Sequence, residues 1–235
     1  MTKFIAVVSG KGGVGKTTAT INIGQAINLL GKQSILVDAN LYTPHLGINL
    51  GLIKPKATLN QFLKKEKSIS EVIFHHESGL KIIPASPSYK ESKPYKKLVE
   101  IFEHLDETAD FVLIDSPAGL GDEVNLILKH SDEALIVINP TISSLMDGLK
   151  TIKTAKDNNT QIAGVVLNMV YGRNELKKKE AESILDYPII AEIKFDQKIR
   201  KAAHLGVPMK YNSFWPGSAK QFKQIAEHLC LIKSK

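Results

Sequence analysis

The sequence predicts one α/β domain, spanning residues 1–235, with a mainly parallel β-sheet and helices on both faces. Three observations lead there. Short apolar runs such as Phe4–Val8 and Phe111–Ile114 alternate with segments of helical periodicity such as Thr18–Leu30. The runs are apolar throughout, as strands covered on both faces of a parallel sheet require. No repeat, linker or low-complexity stretch divides the chain, and 235 residues support one large core.

The first strand, Lys3 to Ser9, runs into Ser9-Gly10-Lys11-Gly12-Gly13-Val14-Gly15-Lys16-Thr17-Thr18. Gly10, Gly15, Lys16 and Thr17 satisfy G-x-x-x-x-G-K-[ST] between a strand and a helix, which is a phosphate-binding loop. Gly10, Gly12, Gly13 and Gly15 let the backbone close around an oxyanion, with N–H groups along the run, those of Lys11, Val14 and Thr18 included, available to it. The helix that follows adds free N–H donors and a positive dipole end. Lys16 supplies a charge for β- and γ-phosphates, and the Thr17 hydroxyl is a ligand for Mg²⁺.

Lys11 makes the loop more specific. K-G-G-V-G-K-T-T resembles the deviant Walker A loop of the MinD/ParA ATPases. The resemblance implies ATP as ligand and Lys11 as the signature lysine that reaches a partner's phosphates across a nucleotide-sandwich dimer. Spacing alone shows two cations near one phosphate site.

The helix after the loop carries Ala19, Ile23, Ala26, Ile27 and Leu30 at helical spacing and stops at Gly31. Ser34 to Val37 is a buried strand ending on Asp38, and 38–47 is a loop holding Pro44 and Gly47. Open α/β sheets bind ligands at the carboxyl ends of their strands, which sets Asp38 beside the phosphate loop. The stretch resembles the family's first switch, usually D-x-D; Asp38 matches, and Asn40 replaces the second acid. Short helices over 59–64 and 70–74, a strand over 80–83, a loop over 86–94 and a helix over 95–105 follow. The last carries Leu98, Ile101, Phe102 and Leu105 as an apolar stripe. His75-His76 lacks a third ligand at helical spacing and reads as solvated loop.

Phe111-Val112-Leu113-Ile114-Asp115 is a strand ending in an acid, which places Asp115 at the metal and its water shell. Ser116-Pro117-Ala118-Gly119 follows as a rigid turn whose Gly119 N–H is positioned for the γ-phosphate. D-S-P-A-G resembles the second switch of the MinD branch; ParA relatives more often read D-x-P-P. After a strand over 134–138, Asn139-Pro140 and Ser143 to Asp147 resemble a MinD stretch whose acid contacts the signature lysine or the dimer interface. Two readings of Asp147 stand, that contact and a favourable place near a helix N-terminus capped by Ser143 or Ser144. The helix turns Leu145, Leu149 and Ile152 inward.

A strand over 161–167 ends on Asn168, and one over 189–193 leads to Lys194-Phe195-Asp196. The family resemblance implies that Asn168 hydrogen-bonds adenine and that Asp196, the matching residue of a usual P-E-D, flanks it. Lys177-Lys178-Lys179 is a candidate polyanion contact, but Glu175, Glu180 and Glu182 favour a self-paired face. A helix ends at Gly206 and Pro208, matching the family's V-R-x-A-x-x-x-G-x-P, and Ser218 opens a last helix with Phe222, Ile225, Leu229 and Ile232 inward.

Net charge is +7, yet only Arg173 and Arg200 are arginine. Bidentate recognition of bases or phosphates uses arginine forks, so the lysine excess reads first as a solvated surface, with weak contact to DNA or acidic membrane left open. The first strand starts at once and no apolar run nears the roughly 20 residues of a span, so a cytoplasmic protein without a signal peptide is expected. The chain stops soon after its last helix, so membrane or nucleoid association is expected to be weak or through partners. Cys230 is the single cysteine and packs on the last helix; an iron–sulfur carrier of the related scaffold would need paired cysteines.

The resemblance runs from Lys3 to about Ile232. It implies slow hydrolysis of ATP by an Mg²⁺-dependent homodimer that works with a regulatory or cargo protein in spatial positioning such as division-site placement. In that scheme Lys11, Lys16 and Asp38 are catalytic, and Thr17, Asp38 and Asp115 hold the metal. Phosphate loop residues Gly10 to Thr18, with Asn40, Gly119, Asn168 and Asp196, bind the nucleotide. A ParA-type DNA-partition ATPase is the alternative, and a biosynthetic carboxylase or kinase on the same fold is a further rival.

Overall fold

Alternation along β1 (Lys3–Val8) sets the architecture. Phe4, Ala6 and Val8 pack into one apolar layer, while Ile5 and Val7 enter the layer on the opposite face. The computed structural model describes residues 1–87, 94–172, 174–209 and 217–231. The other strands are β2 (Ser34–Asp38), β3 (Phe74–His75), β4 (Lys81–Ile83), β5 (Phe111–Asp115), β6 (Glu133–Ile138), β7 (Gln161–Val170) and β8 (Ile189–Lys194). They form one eight-stranded sheet of order β3-β4-β2-β5-β1-β6-β7-β8, parallel except for the edge strand β3.

The helices are α1 (Lys16–Leu29), α2 (Leu46–Asn49), α3 (Leu59–Leu63), α4 (Ile69–Val72) and α5 (Glu100–Leu105) in the first half. Then come α6 (Asp122–His130), α7 (Ile142–Asp157), α8 (Lys178–Leu185), α9 (Gln197–His204) and α10 (Gly217–Leu231). Ile23 and Ile27 of α1 join Phe222, Ile225 and Leu229 of α10 over one face. Ile101 of α5, Ile127 of α6, Leu145 and Ile152 of α7 and Leu185 of α8 cover the other. No helix among the described residues is long and apolar enough to cross a membrane.

Several local expectations change. The helix over 95–105 begins as a 3₁₀ stretch, Pro94–Val99, before α5. The helix over 70–74 ends at Val72, and Phe74 and His75 pair with β4 instead. Leu46 and Gly47, expected in a loop, begin α2, and α6 carries no signal that the sequence reading used. His75 is exposed, but His76 is buried rather than solvated. His76 Nδ1 accepts from Ser78 N–H at 3.1 Å, so Nε2 bears the proton and donates to Gly206 O at 3.0 Å. The cap of α7 is Thr141, whose Oγ1 accepts from Ser144 N–H, not Ser143 or Ser144. The lysine run is partly self-paired, with Lys178 Nζ 3.8 Å from Glu182. Positions 88–93 of the expected 86–94 loop, Arg173 and Ile232 lie outside the described residues.

Candidate nucleotide-binding site

β1 lies between β5 and β6, and the chain leaves it for β2 on one side and reaches β6 on the other. Such a switch point opens a crevice at the carboxyl ends of the strands. The phosphate loop leaves β1 there, and the in-register pairing of β2 with β5 sets Asp38 beside Asp115.

The loop turns through positive φ at Gly13 (78°) and Gly15 (93°), a region that costs a side-chain-bearing residue strain. Gly15 is the N-cap of α1 and offers no side-chain cap, which leaves the first N–H groups of the helix for an anion. Val14 is buried and anchors the loop, whereas Lys11, Gly12 and Gly13 are exposed. A Cβ on Gly10 would lie 2.9 Å from Asp147 Cβ and from Asp147 O. The loop and α7 therefore touch, and Asp147 sits against the phosphate site.

The two lysines have opposite settings. Lys16 is buried, and its Nζ donates to Ser9 Oγ at 2.9 Å, while Ser9 Oγ donates to Lys11 O at 2.6 Å. Burial pushes the Lys16 pKa down, and the Asp115 carboxylate pulls it partly back. The Lys11 ammonium is exposed, with no partner among the described residues. Ser9 is a site residue to which sequence reading gave no role; its hydroxyl at the strand end was the available signal.

Thr17 Oγ1 donates to Asp115 Oδ2 at 2.6 Å. Asp115 is fully buried and its carboxyl is pushed up to about 6, chiefly by desolvation, with Thr17 and Lys16 opposing. Asp38 is also buried, with Oδ1 taking Asn40 N–H at 3.2 Å and Oδ2 taking Leu46 N–H at 2.9 Å. Desolvation and the neighbouring Asp115 push the Asp38 carboxyl well up, against backbone hydrogen bonds from Leu46, Asn40 and His45. Two carboxylates side by side and the buried Asp115 Oδ1, which has no hydrogen-bond partner among the described residues, form a hard-oxygen donor set with Thr17. That set fits a hydrated Mg²⁺.

The other expected residues already hold partners within the chain. The Asn40 side chain closes a turn on Thr43, accepting from Thr43 N at 3.1 Å and donating to Thr43 Oγ1 at 3.0 Å. Gly119 N–H donates to Ser9 O at 3.2 Å. Asn168 is buried and its Nδ2 donates to Val14 O at 2.7 Å, beneath Gly15. Asp196 caps α9 by accepting from Lys198 N at 2.8 Å and takes Ser218 Oγ at 2.6 Å. Thr18, Asn168 and Asp196 share the wall of a cavity of about 270 Å³ that continues from the loop.

A family model described as ParA, NUBPL iron-transfer P-loop NTPase, matches residues 1–230. An uncharacterized ATP-binding protein of Methanocaldococcus jannaschii is 36% identical over 209 residues, covering 87% of this chain and 79% of its own length. The structure of the cell division ATPase MinD of Pyrococcus furiosus superposes with a TM-score of 0.90 at 33% identity, covering 97% of this chain and 98% of its own. The septum site-determining protein MinD of Pyrococcus horikoshii, solved in complex with Mg-ADP, gives 0.89 at 32% identity, covering 97% and 96%.

Proposed function

This chain belongs to the ParA family of P-loop NTPases, and we propose that it is an Mg-ATP-dependent ATPase of MinD type that dimerises on ATP and hydrolyses it slowly. Its output is spatial positioning, such as division-site placement, exerted through a regulatory or cargo protein. The observation that carries the reading is the split between the two loop lysines. Lys16 is drawn inward onto Ser9, while Lys11 stands exposed and unpartnered among the described residues on the same loop. A second cation held off the phosphate cradle of its own chain suits the phosphates of a facing copy. The names of the MinD structures, one a cell division ATPase and one bound to Mg-ADP, support the same direction.

In this reading the N–H groups from Gly10 to Thr18 wrap the phosphates and Lys16 neutralises charge that develops on the γ-phosphoryl oxygens. Thr17, Asp38 and Asp115 would hold Mg²⁺, which when bound supplies charge neutralisation to the phosphates. Asp38 orients the attacking water and takes up its proton. Its place is fixed by the backbone of the 38–47 loop, so movement of that loop moves the carboxylate.

The test is phosphate release by the purified chain with Mg-ATP and no second substrate. Slow turnover that Lys16→Ala removes is expected. Turnover that appears only with an added small-molecule acceptor would replace the switch by a biosynthetic enzyme. One observation favours the DNA-binding variant of the proposal: α9 buries none of its residues and exposes Lys198, Arg200 and Lys201. ATP-dependent, salt-sensitive retardation of DNA would select that variant.

A further inference from the structure

We propose that Ser9 is the positioning residue that couples the two lysines of the phosphate loop. Its hydroxyl ties the Lys16 ammonium to the backbone of Lys11. One side chain thereby sets both the cation for this chain's own phosphates and the cation offered to a second copy. The proposal rests on the dimerising nucleotide reading above and deepens it.

Ser9 follows β1 directly and is 1% exposed. Its carbonyl accepts from Gly119 N–H at 3.2 Å. Two residues earlier, Val7 O accepts from Ser116 N–H at 3.3 Å and from Ser116 Oγ at 2.7 Å. These bonds stitch the end of β1 to the segment after β5, beyond the register in which Val7 faces Asp115. The Ser9 hydroxyl therefore stands on a rigid base. The loop beyond it is the opposite. Lys11 lies between Gly10 and Gly12, with Gly13 next, and glycine leaves backbone rotation free. Lys11, Gly12 and Gly13 are all exposed, and a Cβ on Gly13 would meet nothing within 4 Å. Packing at Gly12 and Gly13 does not decide where Lys11 points.

The hydroxyl supplies what packing does not. It carries a single proton, which goes to Lys11 O at 2.6 Å and so turns a lone pair to Lys16 Nζ at 2.9 Å. Each bond orients the other, and the ammonium polarises the O–H it binds, which strengthens the bond to Lys11 O. Holding that oxygen fixes the plane of the peptide from Lys11 to Gly12, and with it the backbone where the Lys11 side chain departs. At the other end Ser9 takes one proton of the Lys16 ammonium and leaves two for phosphoryl oxygens. It also steadies the tip of a flexible four-carbon stem. Misplacing a group at the reacting centre by about 1 Å can cost about a hundredfold in rate. Binding of a diphosphate depends less on that precision, because loop N–H groups and the helix N-terminus share the load.

The experiment compares the unaltered chain with Ser9→Ala and with Ser9→Cys, which fills the site but is a weak donor and acceptor. Three readouts are taken in Mg²⁺: ADP affinity by calorimetry, the maximal rate and KM of ATP hydrolysis, and sedimentation with a non-hydrolysable ATP analogue. Both variants are expected to bind ADP within about threefold of the unaltered chain. At saturating ATP they should turn over about tenfold to a hundredfold more slowly, with KM moved by less than about threefold. Dimerisation on the analogue should need about tenfold more protein. Ser9→Cys keeps the measurement open where the smaller side chain fails to fold. An unchanged maximal rate would overturn the proposal, as would a loss of ADP affinity as large as the loss of rate, which marks a loop loosened throughout. A defect of Ser9→Ala that Ser9→Cys repairs would trace to lost volume and overturn it too. An unaltered chain that neither hydrolyses ATP nor dimerises would overturn the switch reading itself, and the coupling with it.

Discussion

Thr17 Oγ1 is bound to Asp115 Oδ2 at 2.6 Å, and the other oxygen of that carboxylate is buried with no hydrogen-bond partner among the described residues. An orphaned buried acceptor costs about 1–3 kcal/mol. Asp115→Asn keeps the acceptor for Thr17 and removes the buried charge. The nucleotide-free variant is expected to melt several degrees higher at neutral pH and to lose the Mg²⁺ dependence of nucleotide binding. Thermal melts with and without Mg-ADP check both parts.

The pH dependence of that gain has a definite sign. Asp115 has its folded pKa raised to about 6, above the unfolded carboxylate value of about 4. The folded state therefore binds the extra proton, and the destabilisation from the buried charge grows as pH rises from about 4 to about 6, then levels. The advantage of Asp115→Asn should be absent near pH 4 and complete above about pH 6. Equal stabilisation at both ends would mean that the carboxylate is not the source.

Metal binding requires the same carboxylates ionised, so Mg-ADP should bind more weakly below about pH 6 and release protons as it does. Calorimetry in two buffers of different ionisation enthalpy measures that release directly. Proton release near about pH 5.5, and none near about pH 8, is the expected pattern.

Asn40 stands where the family usually has a second aspartate. Its amide is isosteric with a carboxylate but is no base, and here it closes a turn on Thr43. The carboxylate introduced by Asn40→Asp would still accept from Thr43 N–H, so the fold should persist while single-turnover hydrolysis rises. One positioned catalytic group is worth about 10²–10⁴-fold, so even a partial gain is measurable. Asp38→Asn should abolish turnover without abolishing ATP binding. A fast native rate that Asn40→Asp leaves unchanged or lowers would show that the amide already suffices.

The elements that are local in sequence were legible: the phosphate loop, the strand ending in Asp115 and the buried parallel strands each carry their signal within a short stretch of chain. What escaped depends on partners far along the chain or on caps. Gly10 meets Asp147 only because α7 returns over the loop, and His76 is buried only because the chain near Gly206 covers it. Thr141 rather than a following serine caps α7, a choice between adjacent hydroxyls that spacing does not make. Asp196 matched a family position, yet its carboxylate joins α9 to α10. Tyr171 and Phe195 lie far apart in sequence, and their rings stack with centroids 4.6 Å apart only because β7 and β8 pair.

The loop–α7 contact makes its own prediction. A methyl group at position 10 would meet Asp147 backbone and Cβ at 2.9 Å, which no flexible side-chain end can relieve. Gly10→Ala is expected to cost about 1–3 kcal/mol. At this chain length that lowers Tm by about 2–4 °C per kcal/mol. Nucleotide affinity should fall with it, which calorimetry against the unaltered chain will show.

Lys11 decides whether the ATP-bound chain pairs with a second copy. Sedimentation velocity with Mg²⁺ and a non-hydrolysable ATP analogue should show the unaltered chain as a dimer, and with ADP as a monomer. Lys11→Ala should bind the analogue and remain monomeric, because the exposed cation that meets the facing copy is gone. A normal ATP-dependent dimer from Lys11→Ala, or an unaltered chain that stays monomeric with the analogue bound, would rule out a dimer closed by Lys11.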